Sequence, residues 1–229
     1  MKTGYSQISE TLSSNTLFHF TRSLDNLKSI LSAGLKISYV PEELPGIEQL
    51  YFAPMVCFCD IPLGQIKTHL QHYGDYGIGI HKNICKKVRI NPVFYMRNKT
   101  MLESLFPGNK INHVAISHVK RYRGRGFCGG KVAERLKFYD EREWRYVETN
   151  RFQLVSTWEE AVNQCKTRNI HNQSYLELSE RLIEYLIVKN STERNLMIDF
   201  IANNSKWTPL ERNLLLTKLI TATRIRKDF

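Results

Sequence analysis

The sequence predicts an α+β domain in which strands and short helices follow one another in irregular order. Three observations carry this expectation. Strand-like segments recur at TLFHFT (16–21), MVCFCD (55–60), FYDEREWRYV (138–147) and IEYLIVKN (183–190). Helical spacing of apolar residues lies between them, as at Leu24, Leu27, Ile30 and Leu31. No repeat, low-complexity run or clear linker divides the chain, so its 229 residues read as one continuous domain, 1–229, able to bury a substantial core.

The elements follow in order. In TLFHFT, Leu17, His19 and Thr21 share one strand face, and Phe18 and Phe20 the other. Ser23 is placed to cap a helix over 24–33, which Gly34 ends. Residues 41–50 read as a loop, broken by two prolines and a glycine. MVCFCD is the next strand; Asp60 is placed to cap the helix after it, with Pro62 near the first turn and Leu63, Ile66 and Leu70 at helical spacing. Gly77-Ile78-Gly79-Ile80 starts a strand whose glycines face something close. NPVFYM (91–96) is short and extended, 99–118 is a mixed helical stretch, and 119–131 reads as a glycine-rich basic loop. In the last third, a capping box from Ser156 to Glu159 opens a helix to about Arg168. Residues 193–203 are helical, and Thr208-Pro209-Leu210-Glu211 is a strong helix start.

Composition excludes several classes. Hydrophobic content of 42% and charged content of 24% suit a soluble globular chain. No apolar run approaches a membrane span and the N-terminus lacks a signal core, so the expectation is a cytoplasmic protein with no membrane partner. Five cysteines without framework spacing read as reduced thiols. Cys57 and Cys59, followed by His69 and His72, are too closely spaced for a usual zinc pair, and no metal is expected. The net charge of +11 is concentrated: residues 81–125 hold eleven Lys/Arg and one acid, Glu103. Its densest run is Lys120, Arg121, Tyr122, Arg123 and Arg125. Cations interleaved with a tyrosine suit single-stranded nucleic acid, RNA above all, through phosphate contacts and base stacking. A solubilising surface, or a site for a smaller anion such as a dinucleotide pyrophosphate, would have the same composition.

FYDEREWRYV is the most unusual segment. Read as one strand, it places Tyr139, Glu141, Glu143, Arg145 and Val147 on one face. A carboxylate pair on a rigid strand can hold a catalytic acid. A solvated edge strand with a cross-strand ion ladder would look alike.

The order of a first-strand His, a Tyr and Gly stretch and a late Glu pair resembles the ADP-ribosyltransferase superfamily. LFHFTRSLDNLKSILSAGL, CFCDIPLGQIKTHLQHYGDYGIGI, NPVFY, FYDEREWRYV and LITATRIRKDF together resemble the AbiGi family of abortive-infection phage-resistance proteins. The resemblance implies an ADP-ribosyltransferase-like split β-sandwich with surrounding helices, with 16–150 as catalytic core and 151–229 as a C-terminal scaffold and partner region. It implies NAD as substrate, held by His19, Phe20, Thr21 and Tyr76, with Tyr73 as the rival aromatic. Glu143 would be the catalytic Glu, its carboxylate stabilising the charge that develops on the ribose, and Glu141 the upstream member of the pair, which engages the acceptor, although no sequence feature decides between them. Cys57 and Cys59 stand where many transferases carry Ser or Thr. The activity implied is NAD-dependent transfer of ADP-ribose to a nucleic acid, RNA first, by a toxin that a partner antitoxin could neutralise. The AbiGi label itself implies the alternative, a non-catalytic antitoxin that binds a toxin or nucleic acid. A nuclease or RNA phosphotransferase on the same basic surface ranks third.

Overall fold

The structure, a computed structural model, describes residues 13–44, 50–97, 112–128 and 131–228. It is mixed α+β, with seven α-helices among the described residues around a nine-stranded sheet. The sheet runs, from one edge, Leu219–Thr221, Ile183–Val188, Tyr76–His81, Thr16–Thr21, Leu50–Cys59, Glu143–Val147 and Ile90–Pro92. Among the described residues, only the Ile183–Val188 and Leu219–Thr221 pair in it is parallel. The C-terminal third therefore contributes strands to the same sheet as the first strand.

The ten-residue strand Leu50–Cys59 is the spine. On one side it pairs first with Ser38–Glu43 and then with Thr16–Thr21; on the other it pairs with Gln153–Val155 and Glu143–Val147. Its pairing with the first strand lasts for one register position, Phe18 opposite Cys59. Past that point the ladder opens, and His19 Nδ1 lies 2.9 Å from the Cys57 carbonyl in its place. The sheet is thus parted between its first strand and its spine.

Register decides what each face carries. One face presents Leu17, Ile78, Ile80, Leu186 and Val188 to the helices Leu24–Ala33, Ser191–Asn203 and Pro209–Leu216, which supply Leu27, Ile30, Met197, Ile201 and Leu215. Each such buried aliphatic side chain contributes about 1.5–3 kcal/mol. The opposite face presents Phe18, Cys59 and Ile187 to the helices Lys67–Tyr73 and Ala222–Asp228, through Ile66, Leu70 and Ile225. Gly77 and Gly79 lie on this second face opposite Phe20 and Phe18. A Cβ on Gly77 would sit 2.9 Å from the Phe20 ring, so the expected close approach is made by aromatic side chains.

Five expectations are corrected. FYDEREWRYV is not one strand: Phe138–Glu141 forms a 3-10 turn, Arg142 takes a left-handed φ of 42°, and the strand begins at Glu143. The ladder with the spine closes where Asp60 N–H donates to the Arg142 carbonyl, and two residues on Pro62 has no N–H to offer. Residues 119–131 are not a plain loop, since Val119–Arg121 pairs with Phe94–Met96 and Gly124–Cys128 with Lys131–Leu136. Residues 41–43 extend an edge strand, Ser38–Glu43, in which Pro41 is tolerated. Asp60 caps no helix; it accepts from Ser13 Oγ, Ser14 N–H and Lys82 Nζ at 2.7–2.9 Å. Of the helical stretch read at 99–118, the described part is helical over His113–Ile116, and 99–111 lie outside the described residues. The helix read from 156 is capped one residue later, by Thr157, and runs Trp158–His171. The Thr208 capping box forms as read.

Candidate functional site

The second sheet face carries a buried charge cluster assembled from four elements. Glu143 lies opposite Cys59 and Arg145 opposite Cys57, so both side chains point to the face of the two cysteines. The edge strand brings Glu42, opposite Tyr51. The Val119–Arg121 strand brings Lys120, and the turn before Glu143 brings Glu141. Arg145 grips Glu143 with two bonds, Nε to Oε1 at 2.6 Å and Nη2 to Oε2 at 3.1 Å. Its other donors reach Glu42 Oε1 at 2.7 Å, the Tyr51 hydroxyl at 3.2 Å and the Ser117 carbonyl at 3.1 Å. Lys120 Nζ donates to Glu143 Oε2 at 2.7 Å and to Glu141 Oε2 at 2.9 Å. It also stands 4.4 Å from the centre of the Phe138 ring.

Arg145 is fully buried, and Glu143 and Lys120 are 5% and 7% exposed. Burial pushes the Glu143 carboxyl up, but Arg145 and Lys120 outweigh it and hold the group well below the usual carboxylate range. Burial likewise opposes the charge on Lys120, and Glu143, Glu42 and Glu141 overcome it, keeping the ammonium protonated far into the alkaline range. Glu143 is therefore a fixed anion with its oxygens committed, not an acid poised near neutral pH. Burial raises the Cys57 and Cys59 thiols, so neither is a ready nucleophile.

Beside the cluster, where first strand and spine part, is a half-open cavity of about 170 Å³. Its lining is apolar at Phe18, Phe20, Phe58, Val40 and the two cysteines, and polar at Glu42, Glu141, Glu143, Lys120, His19, His69 and Tyr73. Tyr73 donates to Glu141 Oε1 at 2.6 Å and stacks on His69, with ring centres 5.8 Å apart. Burial lowers the pKa of both His19 and His69, which favours neutral imidazoles.

The structure brings His19, Phe20, Tyr73, Glu141 and Glu143 to this one cavity. It does not bring Tyr76, which packs in the core of the opposite face and donates to Glu193 Oε1 at 2.7 Å. Thr21 accepts from Asn26 Nδ2 at 3.0 Å away from the cavity. The basic run is divided. Lys120 is inside the cluster and Arg121 pairs with Glu43 at 2.8 Å, while Arg123 and Arg125 are exposed and Tyr122 packs on Tyr139. Sequence reasoning missed Glu42, Tyr51, His69 and Tyr95, whose hydroxyl accepts from the Glu143 N–H at 2.8 Å, as parts of the site. For His69 a signal existed: it follows Ile66 by three residues and so shares the buried helix face. No group of three or more His, Cys, Asp or Glu among the described residues could hold a metal. No described helix is long and apolar enough to cross a membrane.

A family model described as "Putative abortive phage resistance protein AbiGi, antitoxin" matches residues 49–189. The "Abortive phage resistance protein AbiGi" of Lactococcus lactis subsp. cremoris is 23% identical over 223 residues, spanning 78% of this chain and 90% of that protein. No solved structure matches. The family's description as an antitoxin overturns the expectation of an NAD-dependent ADP-ribosyltransferase. In this structure the expected catalytic Glu143 is held in ion pairs, and the cavity beside it is smaller than the roughly 300–1,000 Å³ of drug-sized ligand sites.

Proposed function

The chain belongs to the family of the abortive phage resistance protein AbiGi, and from that premise we propose that it is a non-catalytic antitoxin that binds and neutralises a toxin protein. Its role lies in abortive phage resistance. One observation carries the non-catalytic reading: three N–H donors, from Arg145 Nε, Arg145 Nη2 and Lys120 Nζ, already occupy the Glu143 carboxylate. A group so held is built to organise a fold. The Glu143–Arg145–Glu42 bridge ties the strand after the turn to the edge strand, and Lys120 ties both to the 119–121 strand. The parting of the sheet beside His19 supports a split-sheet scaffold, which an antitoxin can use without the transfer chemistry.

The test is co-expression with each gene flanking its own. The antitoxin reading predicts that one of those products arrests growth when expressed alone, that this chain relieves the arrest, and that the two proteins copurify. Relief without any complex between the two proteins, or no flanking product that arrests growth, would overturn it.

A further inference from the structure

His69 is 8% exposed, faces the cavity, and neither of its ring nitrogens has a hydrogen-bond partner. A buried polar group in that state costs stability unless something supplies a partner. The neighbouring charges say what kind. Three carboxylates, Glu42, Glu141 and Glu143, face two cations, Lys120 and Arg145, so the cluster is one positive charge short of balance. Glu141 accepts one bond on each oxygen, from Tyr73 and Lys120, whereas an ionised carboxylate offers about four acceptor positions. The lining also holds three aromatic rings, Phe18, Phe20 and Phe58, a side-chain type whose face attracts a cation.

We propose that this cavity is a binding site for one guanidinium group, which donates to a His69 ring nitrogen and to the Glu141 carboxylate and lies against the Phe20 ring. The guanidinium is planar, always charged and rich in N–H donors, so it meets the missing charge, the acceptor nitrogen and the aromatic wall together. An ammonium would supply the charge without the flat face. The cavity of about 170 Å³ suits a side-chain-sized group. Such binding needs only the isolated chain and does not depend on its acting as an antitoxin.

The experiment follows the His69 imidazole by NMR in the full chain during titration with ethylguanidinium, n-butylammonium and ethylurea. A second arm titrates a blocked Gly-Arg-Gly peptide. The expected result is saturable binding of ethylguanidinium at about 1 mM or tighter, with His69 resonances shifting. Ethylurea, which lacks the charge, should bind at least about tenfold more weakly. His69→Leu and Glu141→Gln should each weaken ethylguanidinium binding about tenfold or more. Val40→Phe, which fills the cavity from its apolar wall, should abolish it and keeps the result readable if Glu141→Gln fails to fold. Tighter binding of the peptide would identify a protein-borne arginine as the natural ligand, and tighter binding of ethylguanidinium a free guanidino compound. Absence of saturable binding by either, or equal binding of ethylurea, would overturn the proposal.

Discussion

The two faces of the central sheet are made by the same strands and built on different principles. One is a continuous apolar layer, with Leu17, Ile78 and Leu186 buried beneath three helices. The other interrupts its apolar packing with a five-member charge cluster and a cavity. The first face tolerates loss of a contact by leaving a void. The second holds charges that are stable only together, because each was removed from water and repaid by its neighbours. The comparison teaches that Glu143 earns its place by pairing, so loss of function on removing it is no proof of catalysis.

The largest expected effect comes from breaking the charged face. Arg145→Met leaves Glu143 and Glu42 buried with Lys120 alone and should cost about 3–5 kcal/mol, read as a lower urea midpoint. Removing both partners of one pair sharpens the point: Glu143→Gln with Lys120→Met should cost less than the sum of the two single changes, because the Glu143–Lys120 pair is counted in both. If the two costs simply add, Glu143 and Lys120 are not held by mutual pairing. On the apolar face, Leu186→Ala should cost about 2–5 kcal/mol with no change in acid sensitivity. Next comes Gly77→Ala, whose methyl would press on Phe20 and the His19 carbonyl, for about 1–3 kcal/mol. The smallest is Thr208→Ala, which removes an exposed helix cap for about 1 kcal/mol in thermal unfolding.

The charged face should also set the acid limit. Glu143 has a folded pKa below its ordinary value of 4.5, so its contribution is present above that value and is lost as pH falls through the folded pKa. Lys120 is shifted upward, so its contribution is complete below 10.5 and is lost as pH rises beyond it. Stability against pH should therefore be lost steeply below about 4.5 in the wild type and less steeply in the Glu143→Gln/Lys120→Met variant. Equal slopes in urea titrations across pH would show that Glu143 is not the group responsible.

The two faces also differ in how far the sequence foretold them. Apolar pattern was enough for the helix at 24–33 and for the strand read at 183–190, which forms over Ile183–Val188, and the Thr-Pro-x-Glu signature for the Thr208 cap, because each signal is local. The cluster was only half legible. Glu141, Glu143 and Arg145 stood out, but Glu42 and Lys120 join them from about 100 and 20 residues away through strand register, which a local pattern does not carry. Lys120 was therefore read as part of a basic surface, although its charge is spent inside. Tyr73 and Tyr76, three residues apart, could not be separated until the helix ended between them at Gly74 and sent Tyr76 to the other face. The antitoxin reading was legible only as an alternative, since motif order suggested transfer chemistry, from which the family's description as an antitoxin points away.

The most direct measurement is growth of cells induced to express this chain alone, wild type beside folded Glu143→Gln/Lys120→Met. The account predicts no arrest from either and no loss of cellular NAD. Growth arrest by the wild type that disappears in the folded double variant would contradict it.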